Sequence, residues 1–218
     1  MRLSGVVQKM FRVQQGSDQE ARITSMGSLA VGQAELPCVE LARTGRMFKG
    51  GTGIIANGIA PVQAIPTTTA ALALYNAESD GGRTIFIDSI AFALGSGTAA
   101  AGAALCLAVS NGKLATPVSA MATGNGVGPA SGLTKHKSAA LIGAGITFPA
   151  GTVWDVLAAS FQLAAANVGQ GDGCYEVRGG IAVPPGYALG VSILSGAGTT
   201  PLYLVGLRWA ELEVDLET

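Results

Sequence analysis

The C-terminal stretch, residues 180–218, decides the predicted fold: GIAVPPGYALGVSILSGAGTTPLYLVGLRWAELEVDLET. Pro184-Pro185-Gly186 predicts a turn, because two fixed φ angles and two missing N–H groups end a strand. A strand is predicted over the uncharged segment 187–194, and a last strand over 202–216. Near its end, apolar residues alternate with acids: Leu212, Val214 and Leu216 against Glu211, Glu213, Asp215 and Glu217. This period of two predicts a final antiparallel strand with the apolar residues buried and the acids in water.

The composition indicates a β protein with many tight turns. Charged residues make up 12% of the 218 residues, about half of the roughly 25% of ordinary globular chains. The chain has 32 glycines, about twice the usual share. The net charge is −1, which argues against the basic surface that nucleic-acid binding requires.

Charge is distributed unevenly along the chain. Residues 1–49 hold 11 of the 27 charged residues (13 basic and 14 acidic), and Gly50-Gly51 follows directly. We therefore expect an extended N-terminal arm over residues 1–50 and one β-sandwich domain over 51–218. The arm has little apolar sequence to bury by itself, so it is expected to become ordered on a partner chain.

The body of the chain predicts about eight short strands and no amphipathic helix. Besides the C-terminal pair, strands are expected over 70–77, 83–94, 103–110, 138–148, 153–164, 174–177 and 180–183. Eight antiparallel strands at this spacing favour an all-β sandwich of jelly-roll type. An immunoglobulin-like sandwich is the second alternative and a barrel the third.

Two further segments have compositions typical of other functions. Residues 89–112 are uncharged, but Gly95-Ser96-Gly97-Thr98 predicts a turn there, which favours two strands over a membrane span. Residues 50–69 are rich in glycine but match neither phosphate-binding pattern, GxGxxG nor GxxxxGK[ST]. No secretory leader is predicted, and we expect synthesis in a reducing host cytoplasm.

Histidine and cysteine give no sign of a catalytic or metal site. His136 is the single histidine and lies between Lys135 and Lys137, which is typical of an exposed loop. A metal-binding cupin needs several histidines with a carboxylate. The cysteines are odd in number and far apart, and they are expected to be buried apolar residues rather than disulfides or zinc ligands: Cys38, Cys106 and Cys174.

The carboxylates and aromatic residues likewise show no pattern typical of a catalytic or sugar-binding site. The acids of the body are scattered singly, and a glycosidase would need two of them to face each other: Asp80, Asp88, Asp155, Asp172 and Glu176. The aromatic residues suited to stacking on a sugar have a spacing more typical of core or subunit packing: Trp154, Tyr187, Tyr203 and Trp209. The sequence thus predicts no catalytic residue, no cofactor and no metal ligand.

The layout of strands and turns is similar to that of a known group of viral proteins. The segments that carry the likeness are DGGRTIFIDSI at 80–90, IAVPPGYAL at 181–189 and the alternating last strand. Over residues 70–218 the chain resembles the jelly-roll head decoration (cement) proteins of tailed bacteriophages. The resemblance implies a homotrimer on the outer capsid surface that binds the major capsid protein, with the arm running along the shell.

The expected function is therefore that of a structural virion protein and not of an enzyme. Its partners would be further copies of itself and the major capsid protein, with no nucleic acid and no membrane. The alternative is a tail or fibre module of similar fold that binds a receptor or glycan. An enzyme on a sandwich fold ranks third, because the chain has a single histidine.

Overall fold

A computed structural model describes residues 22–23, 29–30, 39–98, 102–115, 128–129, 137–161, 173–196 and 198–213. The chain divides into two compact units, Met1–Val39 and Glu40–Thr218. In the first unit, β1 (Arg22–Ile23) pairs antiparallel with β2 (Leu29–Ala30). The one α-helix in the described residues is short, α1 (Val39–Arg43), and none of the helices described there could span a membrane.

The second unit consists of two antiparallel sheets of five strands each. Its strands are β3 (Met47–Gly51), β4 (Thr69–Asn76), β5 (Thr84–Thr98), β6 (Gly102–Val109), β7 (Gly128–Pro129), β8 (Ala140–Thr147), β9 (Asp155–Phe161), β10 (Gly173–Val183), β11 (Ala188–Ser195) and β12 (Thr199–Leu212). The first sheet has the order β10-β5-β12-β3-β7, and the second has the order β8-β4-β11-β6-β9.

Eight of these strands form four nested antiparallel pairs. β3 pairs with β12, β4 with β11, β5 with β10, and β6 with β9. The two members of each pair share a sheet, and successive pairs alternate between the sheets. In a jelly roll, the first strand pairs with the last strand and the second pairs with the next to last, as they do here. The predicted all-β sandwich of jelly-roll type is confirmed, and β7 and β8 are additions within the connection from β6 to β9.

The core lies between the sheets and follows the period of two that strands impose. On β12 the odd-numbered residues face inward from Tyr203 to Trp209, and on β11 they do so from Leu189 to Ile193. The largest fully buried side chains of this core are Trp209, Tyr203, Phe48, Leu72, Leu74, Ile85, Ile87, Ile90, Leu105, Ile142, Leu189 and Ile193. A smaller apolar cluster around Phe148 and Tyr75 packs separately from it.

The prediction for the end of β12 is wrong in its orientation. Glu211 was expected in water and Leu212 in the core, but Glu211 is buried and Leu212 is half-buried. The cause is the inward position of Trp209, since two residues along a strand point the same way. The strand ends at Leu212, and residues 214–218 lie outside the described residues.

The predicted boundary after residue 50 falls inside β3. The compact unit begins at Glu40, and β3 pairs with β12 along its whole length, Met47 lying opposite Ala210 and Gly51 opposite Gly206. Phe48 is fully buried and stacks on Trp209 with ring centroids 6.3 Å apart. The arm expected over residues 1–50 lies largely outside the described residues and stays a prediction.

Candidate interaction surface

Among the described residues, the two ends of the sandwich differ in charge. Because neighbouring strands are antiparallel, the connections β3–β4, β5–β6 and β11–β12 meet at one end, and β4–β5 and β10–β11 meet at the other. We call the first the uncharged end, defined by residues 52–68, 93–98, 193–196 and 198–204, which contain no Asp, Glu, Lys, Arg or His. The opposite end carries Glu78, Asp80, Arg83, Lys113, Lys137 and Glu211.

Three isoleucines are exposed at the uncharged end. Ile54, Ile55 and Ile65 each leave 50% of their surface in water. Ile55 begins a 3-10 turn over Ile55–Asn57, which the Gly58 N–H closes by donating to the Ile55 carbonyl at 2.9 Å. Ile54 and Ile55 are neighbours, and adjacent large apolar residues on a surface mark interaction sites more often than isolated ones do.

The connector that carries these isoleucines is tied to both sheets. Ile59 and Tyr203 exchange two backbone hydrogen bonds of 2.9 Å, which fix the connector to β12. The Val62 N–H donates to the Ile193 carbonyl at 2.8 Å, and the Ser195 N–H donates to the Val62 carbonyl at 2.9 Å, which fix it to β11. Ile59 is itself buried. The part of the connector between Ile55 and Ile65 is therefore fixed by backbone bonds to both sheets.

An open groove of 630 Å³ lies beside this connector. Its lining is uncharged and consists of Ala60, Pro61, Gln63, Ser96, Gly97, Gly196, Gly198, Thr200, Pro201 and Leu202. The groove is adjacent to the isoleucine turn, because a Cβ on Gly58 would lie 3.0 Å from both the Ile55 carbonyl oxygen and the Leu202 Cβ. A second groove of 290 Å³ lies between the edge strands β9 and β10, next to the exposed Val153.

The opposite end contains a partly buried ion-pair network that the sequence did not predict. The Arg83 Nη1 lies 3.0 Å from the Glu211 Oε2, and the Arg83 Nε donates to the Glu78 Oε1 at 2.7 Å. Glu211 is 1% exposed and also accepts hydrogen bonds from the Ser138 hydroxyl and from the Trp209 Nε1. Glu78 follows β4 and Ser138 precedes β8, so the network joins the ends of the two sheets. This arrangement is suited to holding the fold together.

The acidic residues of the body that the structure describes do not form a common site. Asp80 pairs with Lys113 on the surface, and that hydrogen bond raises the pKa of Lys113. Glu176 pairs with the exposed Arg178. Asp88 lies on β5 and Asp155 on β9, in different sheets. His136 and Asp172 lie outside the described residues, and within the described ranges no three His, Cys, Asp or Glu side chains are grouped as metal ligands would be.

The aromatic residues and cysteines are placed mainly by packing. Tyr203 and Trp209 are core residues, whereas Trp154 is half-buried and stacks on Phe148 with centroids 5.9 Å apart. Tyr187 is also half-buried, so at most two of the four aromatic residues reach the surface. Burial raises the pKa of the Cys106 thiol. Cys174 is exposed, so the expectation that it is buried is wrong, and Cys38 lies outside the described residues.

Comparisons with known proteins show no family for this chain. No protein-family model matches the sequence, and no curated protein matches it. The cryoEM structure of mud crab dicistrovirus contains a chain that is 11% identical, with the likeness covering 94% of this chain and 86% of that one. The TM-score is 0.21, and a likeness this weak supports no conclusion about fold or function.

Proposed function

We propose that this chain is a structural virion protein and not an enzyme. It is a capsid decoration (cement) protein of a tailed bacteriophage that forms a homotrimer on the outer shell and stabilises the head by binding the major capsid protein. The observation that carries the proposal is the uncharged end, where fixed isoleucines are exposed beside an uncharged groove. Interface cores are depleted of charged residues, so such a surface is suited to contact with protein.

The fold and the sequence resemblance support the same function. Jelly rolls occur in viral capsid proteins, lectins and cupins, and of these the capsid proteins act by assembly. The segments 80–90 and 181–189, on which the resemblance to decoration proteins rests, form β5 with its preceding turn and the junction of β10 with β11.

The mechanism is burial of apolar surface between subunits and against the shell. Covering a half-exposed isoleucine contributes about 1 kcal/mol, so three of them contribute about 3 kcal/mol per subunit before the cost of association. Repeated over every copy on a shell, contacts of this size resist expansion and disassembly of the capsid. The N-terminal segment adds contacts along the shell in the proposed arrangement.

Co-sedimentation tests the proposal. The full chain is mixed with shells assembled from the major capsid protein of the same phage and centrifuged, with bovine serum albumin as the negative control. The chain is expected to pellet at a fixed ratio to the shell protein and to raise the temperature at which the shells come apart. A chain that stays in the supernatant but binds host cells or a glycan array would instead be a tail or fibre receptor-binding module.

A further inference from the structure

We propose that the groove between β9 and β10, which we call the edge groove, binds a lysine side chain of a partner protein. The partner is the major capsid protein of the shell, a choice that rests on the proposed function. The edge groove has a volume of 290 Å³. Its lining includes Val153, Asp155 and Leu157 at β9 and Tyr175, Val177 and Ile181 on β10.

Apolar surface at the edge groove is left open to water. Val153 is 82% exposed, and Val156 on β9 is 41% exposed. Leu157, Val177 and Ile181 pack against the core but are only partly buried. Grouped apolar side chains of this kind mark interaction sites. The edge groove therefore offers apolar contact to a side chain that enters it.

Asp155 places a carboxylate at this apolar surface. It begins β9 and lies opposite Leu107, a buried core residue on β6. Residues directly opposite on paired strands lie on the same face of the sheet, so Asp155 lies on the core side of β9. Its Oδ1 accepts the Val156 N–H at 2.8 Å, and the residue remains exposed.

Within the described ranges, the carboxylate of Asp155 has no basic partner. Four other acids of the sandwich each pair with a lysine or an arginine: Glu78, Asp80, Glu176 and Glu211. The undescribed segments of the connections that lead into or out of β6, β9 and β10 contain no Lys, Arg or His: 99–101, 116–127 and 162–172. These connections therefore supply no counter-charge either.

The carboxylate determines the charge of the partner. A protein that covers Val153 and Val156 also removes water from Asp155, which lies between them in the chain. A carboxylate buried without a counter-charge is costly, so the covering protein must bring a cation. Charge complementarity thus selects a basic side chain for the edge groove.

Lysine fits the edge groove better than arginine does. Its four-carbon stem can lie along the apolar walls while the ammonium group reaches Asp155. Arginine prefers to bind both oxygens of a carboxylate with its planar fork. Since the Val156 N–H already occupies Oδ1, the single point charge of lysine matches the remaining oxygen.

A bulge in β10 favours an inserted side chain over an added strand. The register of β10 against β5 shifts between Glu176 and Ile181, so residues 177–180 form the bulge. Arg178 and Gly179 have φ angles of 52° and 81°, as at the centre of a tight turn. Bulges redirect side chains and interrupt pairing at sheet edges. The edge groove is therefore unsuited to a strand that extends the sheet.

Model compounds added to the full chain test the chemistry of the edge groove. The probe is Nα-acetyl-lysine methylamide, and its matched control is the norleucine analogue, which has the same stem without the ammonium group. NMR of the isotope-labelled chain measures both dissociation constants. Asp155→Asn removes the charge and keeps an oxygen to accept the Val156 N–H. Glu176→Gln is the control variant, since Glu176 is an acid on β10 that already pairs with Arg178.

The lysine probe should bind the native chain and Glu176→Gln about tenfold more tightly than the norleucine probe, because it adds a hydrogen bond between charged groups. In Asp155→Asn the two probes should bind equally. Equal binding of both probes to the native chain, or a preference for lysine that survives Asp155→Asn, would overturn the role of Asp155. Binding of neither probe would show that the edge groove does not accept a side chain.

Sedimentation with shells distinguishes failure of the edge groove from failure of the proposed function. Asp155→Lys reverses the charge and should raise the dissociation constant for shells about a hundredfold, whereas Glu176→Gln should leave it unchanged. If the native chain and Asp155→Lys sediment equally well, the edge groove is not the contact and the decoration function stands. If the lysine probe binds through Asp155 but the native chain never sediments with shells, the decoration function fails and the lysine-binding groove stands.

Discussion

At the scale of single residues, Glu211 shows that a period-two pattern does not determine which face of a strand is buried. The alternation of acids and apolar residues after Trp209 predicts a strand but fits either face, and the sequence favoured the acids in water. In the structure Glu211 faces the core, where Arg83 neutralises it and Ser138 and Trp209 donate to it. Arg83 and Ser138 come from distant parts of the chain, so local sequence could not reveal this partnership.

The first prediction concerns that ion pair. Arg83→Met should lower the free energy of unfolding by about 3 kcal/mol, because it leaves the carboxylate of Glu211 buried without a counter-charge. Urea denaturation followed by circular dichroism measures the loss. The control is Lys113→Met, which breaks the exposed pair with Asp80 and should leave the midpoint unchanged. In a Glu211→Gln background, Arg83→Met should lower the free energy of unfolding by less. An equal loss in both backgrounds would show that the buried carboxylate of Glu211 is not the cause.

The second prediction concerns Tyr203 and pH. Burial raises the pKa of Tyr203 above its usual value, because ionisation would place a charge in the core. The unfolded state therefore ionises first as the pH rises through about 10, and the free energy of unfolding should fall there. Tyr203→Phe keeps the ring and removes the ionisation, so its unfolding free energy should fall less between pH 8 and pH 10.5. Urea titrations at the two pH values check this, and parallel losses in both proteins would contradict it.

At the scale of elements, the sequence predicts strands well where apolar runs are long and poorly where they are short. The segments that form β4, β6, β8 and β11 are predicted as strands, because each contains several apolar residues between turn signals. β3 was missed, because Met47 and Phe48 alone give no periodicity and Gly50-Gly51 resembles a boundary. The uncharged end was not predicted as a surface, since only the topology brings its three connections together.

The tip of the ribbon formed by β5 and β12 corrects another prediction. Residues 95–98 were expected to form a turn, but β5 continues to Thr98, which lies opposite Thr199. Gly97 makes this possible, since its φ is +76° and a Cβ there would lie 2.2 Å from the Thr200 carbonyl oxygen. A glycine that indicates a turn in the sequence here permits close strand approach.

The third prediction concerns the two ways in which replacing a glycine by alanine lowers the free energy of unfolding: a steric clash and an unfavourable φ. Gly97→Ala meets both a left-handed φ and the Thr200 backbone, whereas Gly145→Ala meets only a left-handed φ of +63° with open space around it. Gly145→Ala should cost about 1 kcal/mol and Gly97→Ala distinctly more. Urea denaturation of both variants gives the difference. Equal costs would mean that the ribbon moves apart freely at its tip.

At the scale of the whole molecule, the nested pairing makes the stability of the sandwich depend on the contact between its first and last strands. β3 and β12 are the first and last strands of the jelly roll, and they pair with each other near the middle of the first sheet. The sandwich could be predicted because turn chemistry and period-two patterns are local. β3 could not be predicted, because it is recognisable only by its pairing with a strand at the other end of the chain.

The fourth prediction tests where the folded body begins. A chain that starts at Glu40 retains the whole second unit and should unfold at the same urea concentration as the full chain. A chain that starts at Thr52 lacks β3, so it loses the burial of Met47 and Phe48 and the stacking of Phe48 on Trp209. Its free energy of unfolding should fall by at least about 3 kcal/mol, since removing a buried Phe alone costs that much. Circular dichroism and urea denaturation of the two chains measure the difference. If the two are equally stable, the body begins after residue 51, and β3 belongs with the arm that the sequence predicts.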